Sequence, residues 1–289
     1  MQLFVPPDAV AQVAAVVERG LPVSFQGWPV RYGWDDVPVG HRVKVIDIGT
    51  WLRGHFGVNP RGGLDALDWL TIPQQQLLGV VGGVVYADPD GELGSVRSAV
   101  AWYPDDVWRW MLAAQWRRVG QEEAFVGRAA EVGDALGSQL VASRMVREVM
   151  RLAFLQARVY WPYATWFGKA FSELPQVEEL LAVLPMAVAA TDHASREAAL
   201  VAAYETVARR HNDSGLTYPV DHRALHYHSR PFRVLLAGRF ADACLASVGD
   251  PLRRLPLVGS IDQLVDSTDV LSNSDRARRL HGFLAALAG

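Results

Sequence analysis

From Pro104 to the end, this 289-residue chain is written almost wholly in helical period. Apolar side chains recur at three- and four-residue spacing through 105–118, 121–158, 166–174, 177–190, 194–211, 231–248 and 274–288. Strand signals nearly vanish there. Amphipathic helices in succession must bury their stripes against one another, so this part is expected to be a helical bundle. The first hundred residues read differently. Gln2 to Val5 and "RVKVIDI" (42–48) are apolar, β-branched segments, and 8–19 is an amphipathic helix. "GWPVRYGWDDVPVGH" reads as an irregular loop, and "VVYADPDGEL" as a strand followed by a turn. The expected fold class is α+β: an α/β part at 1–104 followed by a larger helical domain at 105–289.

The composition narrows the function. Half of the residues are hydrophobic, and the net charge of −3 gives no general pull toward nucleic acid or a membrane surface. No stretch approaches the roughly 20 apolar residues needed to span a bilayer, and no signal peptide is evident. The lone cysteine, Cys244, sits in an apolar pattern and is expected to be buried filler. A cytoplasmic location is the expectation. Walker, Rossmann, zinc-protease and nucleophile-elbow motifs are absent.

Four segments could carry chemistry. In 121–158, read as one helix, Phe125, Ala129, Val132, Leu136, Leu140 and Ser143 share a face that is expected to be core. Gly127, Glu131, Asp134 and Ser138 stand opposite, where Glu131 and Asp134 either line a pocket with Arg128 or form a solvated acidic face. "YWPYATWFGKAF" crowds Tyr160, Trp161, Tyr163 and Trp166 around a proline, as a stacking surface or a packing wedge. "DHRALHYHSRPF" holds three histidines without a carboxylate at a convincing spacing, so no metal site is expected. In "GSIDQLVDSTDVL", Asp266 and Asp269 are three apart and would point to opposite faces of a strand, so capping and turn roles are expected for them and for Ser260.

The motif series from "YPDDVWRWMLAAQWRRVGQEEAFVGRAAEVGD" through "YWPYATWFGKAF" and "SRPFRVLLAGRF" to "GSIDQLVDSTDVL" resembles a bacterial domain of unknown function. That domain is typically joined to a polymerase-β-type nucleotidyltransferase domain, akin to aminoglycoside-modifying nucleotidyltransferases. The resemblance implies that the α/β part is an incomplete nucleotidyltransferase core, in which "QLFV" follows directly on the Gly-Ser and Asp-x-Asp strands. Mg²⁺ and ATP are then expected only if that upstream segment exists, because carboxylates hold the ions in such chemistry. It further implies Asp47 as a third carboxylate, Glu131 or Asp134 as general base, and Arg128, Tyr160, Tyr163 and Trp166 as an acceptor surface. The expected activity is related to nucleotidyl transfer onto a small hydroxylated molecule. The alternatives are a non-catalytic small-molecule or nucleotide binder, or a structural partner. An open strand edge at residues 2–5 leads to the expectation of a homodimer through residues 1–50.

Overall fold

The computed structural model describes residues 1–288. Strand β1 (Gln2–Phe4) is followed by a 3₁₀ turn (Pro7–Ala9) and helix α1 (Val10–Gly20). Strands β2 (Ser24–Phe25), β3 (Trp28–Pro29), β4 (Arg31–Trp34), β5 (Val37–His41) and β6 (Lys44–Ile46) follow. β1 pairs in parallel with β6, with Leu3 opposite Val45, and Phe4 packs its ring 4.9 Å from that of Trp51. The Gly- and Trp-rich stretch expected to be an irregular loop instead forms β3, which pairs antiparallel with β2, and the β4–β5 hairpin. Gln26 and Gly27 adopt positive φ between β2 and β3, which a two-residue hairpin turn requires. The strand expected in "VVYADPDGEL" does not form: Val84 and Tyr86 are exposed, with no partner strand.

Helices then take over. They are α2 (Ile48–Phe56), α3 (Ala66–Thr71), α4 (Gln74–Val81), α5 (Glu92–Ala99), α6 (Asp105–Glu122), α7 (Phe125–Glu131) and α8 (Ala135–Ala157). Next come α9 (Ala164–Phe171), α10 (Glu178–Ala189) and α11 (His193–Asp213). A small antiparallel hairpin, β7 (Leu225–His226) and β8 (Arg233–Val234), interrupts the series. It takes up the start of what reads as one helical period over 231–248. The chain closes with α12 (Gly238–Leu245), α13 (Ile261–Leu264), α14 (Thr268–Leu271), α15 (Ser274–Arg278) and α16 (Leu280–Ala288). The fold is mixed α+β, 59% helical, with small sheets and a helical-bundle-like body. One apolar core runs from Ile48 to Leu284 and centres on α6, whose Trp110 and Trp116 are fully buried. Against it pack α8 and α12, and α11 closes on α8 and α10. No helix among the described residues is long and apolar enough to cross a membrane.

The segment 121–158 is not one helix. α7 ends where Gly133 takes φ +76°, and α8 starts anew with Asp134 as its cap, Oδ1 accepting the Gly137 N–H at 2.7 Å. The expected faces are also reversed. Phe125, Val132, Leu136 and Leu140, expected in the core, are exposed, while Gly127 and Ser138 on the opposite side are buried. The expected stripe keeps to one side through both helices, and that side faces solvent. Within α8 the buried positions include Ala142, Met145, Val149 and Leu152, and the helix contacts α6 and α11.

A fixed pocket between helix α7 and the β7–β8 hairpin

Two residues on α6 and α7 dock the hairpin. At the C-terminal end of α6, the buried Glu123 carboxylate accepts N–H groups from Leu235 (Oε2, 2.6 Å) and Ala237 (Oε1, 2.9 Å). Burial pushes this carboxyl up to about 7, against the pull of the backbone N–H groups of Ala237, Leu235 and Leu236. One turn further on, Gly127 presents bare backbone to the ring of Phe232. A Cβ at 127 would stand 2.5 and 2.6 Å from Cδ1 and Cδ2 of that ring, so only glycine permits the contact. Tyr227 stacks on the other side of Phe232, 5.7 Å between centroids at 16°. Ala124, Phe232 and Val234 form a satellite core with Tyr227 packed against it.

The hairpin tip is closed by its own backbone. Arg230 N–H donates to the Tyr227 carbonyl, and Tyr227 N–H to the Phe232 carbonyl, each at 3.0 Å. With the ring of Phe232 fixed, Arg230 lies across α7 and its guanidinium pairs with Glu131. Arg128, one turn earlier, lies 5.6 Å over the ring of Phe125 and makes no ion pair among the described residues. Phe125, Arg128, Ala129, Glu131, Val132 and Arg230 line a shallow, broadly open surface cleft of about 680 Å³. It offers two guanidinium donors, one carboxylate and an aromatic wall.

Arg128 and Glu131 thus share one cleft. Asp134 is not in its lining; it is spent as the α8 cap. Asp47 lies elsewhere, on α2, which packs on α4 and α15. Its Oδ1 accepts the Thr50 N–H at 2.9 Å, and the Thr50 hydroxyl, then the Thr50 N–H, hold the carboxyl below its ordinary value. Tyr160 is a core residue, 4% exposed, with its hydroxyl donating to the Val100 carbonyl at 3.1 Å; burial raises its ionisation far out of range. Tyr163 and Trp166 are exposed on and beside α9, joined by a 2.7 Å bond from Trp166 Nε1 to Tyr163 Oη, and neither lines the cleft. Phe125, expected to be core, and Arg230, not singled out from sequence, complete the lining. The legible signal was an interior glycine in α7 together with an arginine two residues before Phe232.

The histidines at 222, 226 and 228 are not gathered; the three-ligand group among the described residues is Asp65, Asp68 and His281, where Asp68 already pairs with Arg278. Asp266 does not cap a turn. It pairs with Arg147 and Arg151, the latter at 3.2 Å, and opens a charged seam into the core. There Arg151 meets the buried Glu148 at 3.3 Å, and Gln115 joins Glu148 to Gln263. Asp262, beneath them, accepts the Gln74 N–H at 3.0 Å, and burial pushes its carboxyl up to about 6. Removing one partner of such a buried pair is costly, so the seam ties α13 to α6 and α8. Cys244 is buried and its thiol is pushed up to about 12 by desolvation, as suits a filler.

A family model described as a domain of unknown function (DUF4037) matches residues 69–167. The match takes in α7, α8 and the dock residues Glu123 and Gly127, but not the β7–β8 hairpin. No curated protein and no solved structure matches the chain.

Proposed function

We propose that this chain is a small-molecule-binding relative of the nucleotidyltransferases, which holds its ligand in the α7–hairpin cleft and does not transfer a nucleotidyl group with its own described residues. The observation that carries the reading is the docked hairpin: Glu123 and Gly127 fix Arg230 opposite Arg128 and Glu131 across a cleft of about 680 Å³, a size suited to a small ligand. The motifs that build it, on α7 and around Phe232, are those that carry the family resemblance.

Two-metal nucleotidyl transfer needs converging carboxylates. The residues at Asp47 do not fit Mg²⁺. Asp47 has its Oδ1 on the Thr50 N–H and belongs to no group of converging ligands among the described residues. Glu131 is committed to Arg230 and Asp134 to its helix cap. No step through a metal or ATP is therefore derived.

Calorimetry on the full chain tests this reading. Mg²⁺-ATP is expected to give no saturable heat, whereas a panel of sugars, sugar phosphates and amino sugars is expected to contain a ligand whose binding Arg128→Ala removes. Tight, magnesium-dependent ATP binding would overturn the non-catalytic reading. A panel with no ligand would overturn the binding reading.

A further inference from the structure

The lining of the cleft also selects the charge of what enters it. Its six residues carry two guanidiniums and one carboxylate, a local excess of positive charge in a chain whose net charge is −3. Glu131 is engaged by Arg230, and Arg128 has no acidic partner among the described residues. Two guanidinium forks facing one opening can together hold a carboxylate or phosphate. The rest of the lining is apolar: Phe125, Ala129 and Val132, with Phe125 and Val132 both exposed. The exposed Leu136 follows on the first turn of α8.

We infer that the cleft takes an anionic small molecule, a phosphate or carboxylate group joined to an apolar or aromatic body, with Arg128 and Arg230 on the anion and Phe125 and Val132 on the body. This rests on the reading of the cleft as a small-molecule site, and it excludes the polycationic amino sugars that an aminoglycoside-type acceptor would be. Glu131 acts here as a positioning residue: it holds Arg230 over the cleft and sets how much positive charge is on offer.

The test uses two probes on the full chain, phenyl phosphate as anion and kanamycin as polycation, measured by calorimetry at low ionic strength. Phenyl phosphate is expected to bind, with Arg128→Ala and Arg230→Ala each weakening it by about tenfold or more. Arg230→Lys should retain part of the binding, because charge survives while the fork is lost. Glu131→Gln keeps an oxygen acceptor for Arg230 but removes the negative charge, so phenyl phosphate binding should tighten a few-fold, whereas loss of a merely structural ion pair would weaken it or leave it unchanged. Circular dichroism checks that each variant folds, and the exposed Arg128 supplies a variant least exposed to folding failure. Phenyl phosphate binding that is as tight in the Arg128→Ala and Arg230→Ala variants as in the wild type would overturn the inference. Binding of kanamycin alone would overturn the inference but leave the small-molecule reading standing. Binding of neither probe, with an empty panel in the preceding experiment, would sink both.

Discussion

Substituting Gly127 by alanine separates a docking contact from an ordinary helix position. In a helix interior alanine is favoured over glycine by about 1 kcal/mol. At 127 the added methyl would meet Cδ1 and Cδ2 of Phe232 at 2.5 and 2.6 Å, well inside van der Waals contact. The ring is 2% exposed and stacked on Tyr227, so it has no free space to swing into. Overpacking of this kind costs about 1–3 kcal/mol, so after the propensity gain a net destabilisation of up to roughly 2 kcal/mol is expected. Urea denaturation measures it. Gly168→Ala, on the exposed face of α9 with nothing near the added carbon, serves as the control and should stabilise by about 0.5–1 kcal/mol. The decisive comparison is made in a Phe232→Ala background. That change alone should cost about 3–5 kcal/mol, but it removes the ring, so Gly127→Ala should then be neutral or mildly stabilising. Equal effects of Gly127→Ala in both backgrounds would refute the contact as the reason for the glycine. Because the same ring places Arg230, the single variant should also weaken ligand binding, whereas Gly168→Ala should not.

Four further outcomes follow from particular groups. Glu123 is pushed up to about 7 from an ordinary 4.5, so its contribution is fully present below pH 4.5 and is lost as pH rises through 7; the wild type should lose up to about 3 kcal/mol relative to Glu123→Gln between pH 4.5 and 8, whereas a difference independent of pH would contradict the assignment. Burial pulls His211 down to about 4 from 6.5; its Nδ1 accepts from Trp116 Nε1 at 3.2 Å, so the neutral ring is the folded form, and its contribution is present above pH 6.5 and lost as pH falls toward 4, in the opposite direction to Glu123, which denaturation of His211→Gln across that range will reveal. Asp134→Ala removes the α8 cap and should cost about 1 kcal/mol while leaving ligand affinity intact, in contrast to Arg128→Ala; lost affinity would return Asp134 to the site. The exposed Phe25, Trp28 and Trp34 on the N-terminal hairpins keep a homodimer through residues 1–50 as a proposal, for which light scattering should give twice 31.8 kDa and a monomer at micromolar concentration would rule it out.

The helical body was legible because its periods are long and its caps ordinary: Asp192 caps α11 through the Ser195 N–H, and Pro73 opens α4. What was misread has local causes. β3 and the β4–β5 hairpin hid in "GWPVRYGWDDVPVGH" because strands of two to five residues show almost no alternation; the turn into β3 is the positive-φ pair Gln26–Gly27, and that of β4–β5 has positive φ at Asp35. The break in 121–158 was missed because Gly133 reads like any interior glycine until its φ is known, and the core face was misassigned because the large apolar residues Phe125, Val132, Leu136 and Leu140 are exposed. Tyr160 and Trp161 share an aromatic run with Tyr163 and Trp166, and only burial divides the two core residues from the two exposed ones. The cleft was half legible. Arg128 and Glu131 are neighbours on one helix, whereas Arg230 comes from a hairpin 99 residues from Glu131, a proximity no local pattern encodes.

Hydrogen–deuterium exchange on the full chain, with and without phenyl phosphate, tests the central claim most directly, because it locates the ligand rather than only detecting it. The account predicts protection confined to α7, the start of α8 and the hairpin at 225–236, and lost in Arg230→Ala. Protection centred instead on Asp47 and the first turn of α2, or spread evenly over the helical body, would contradict it.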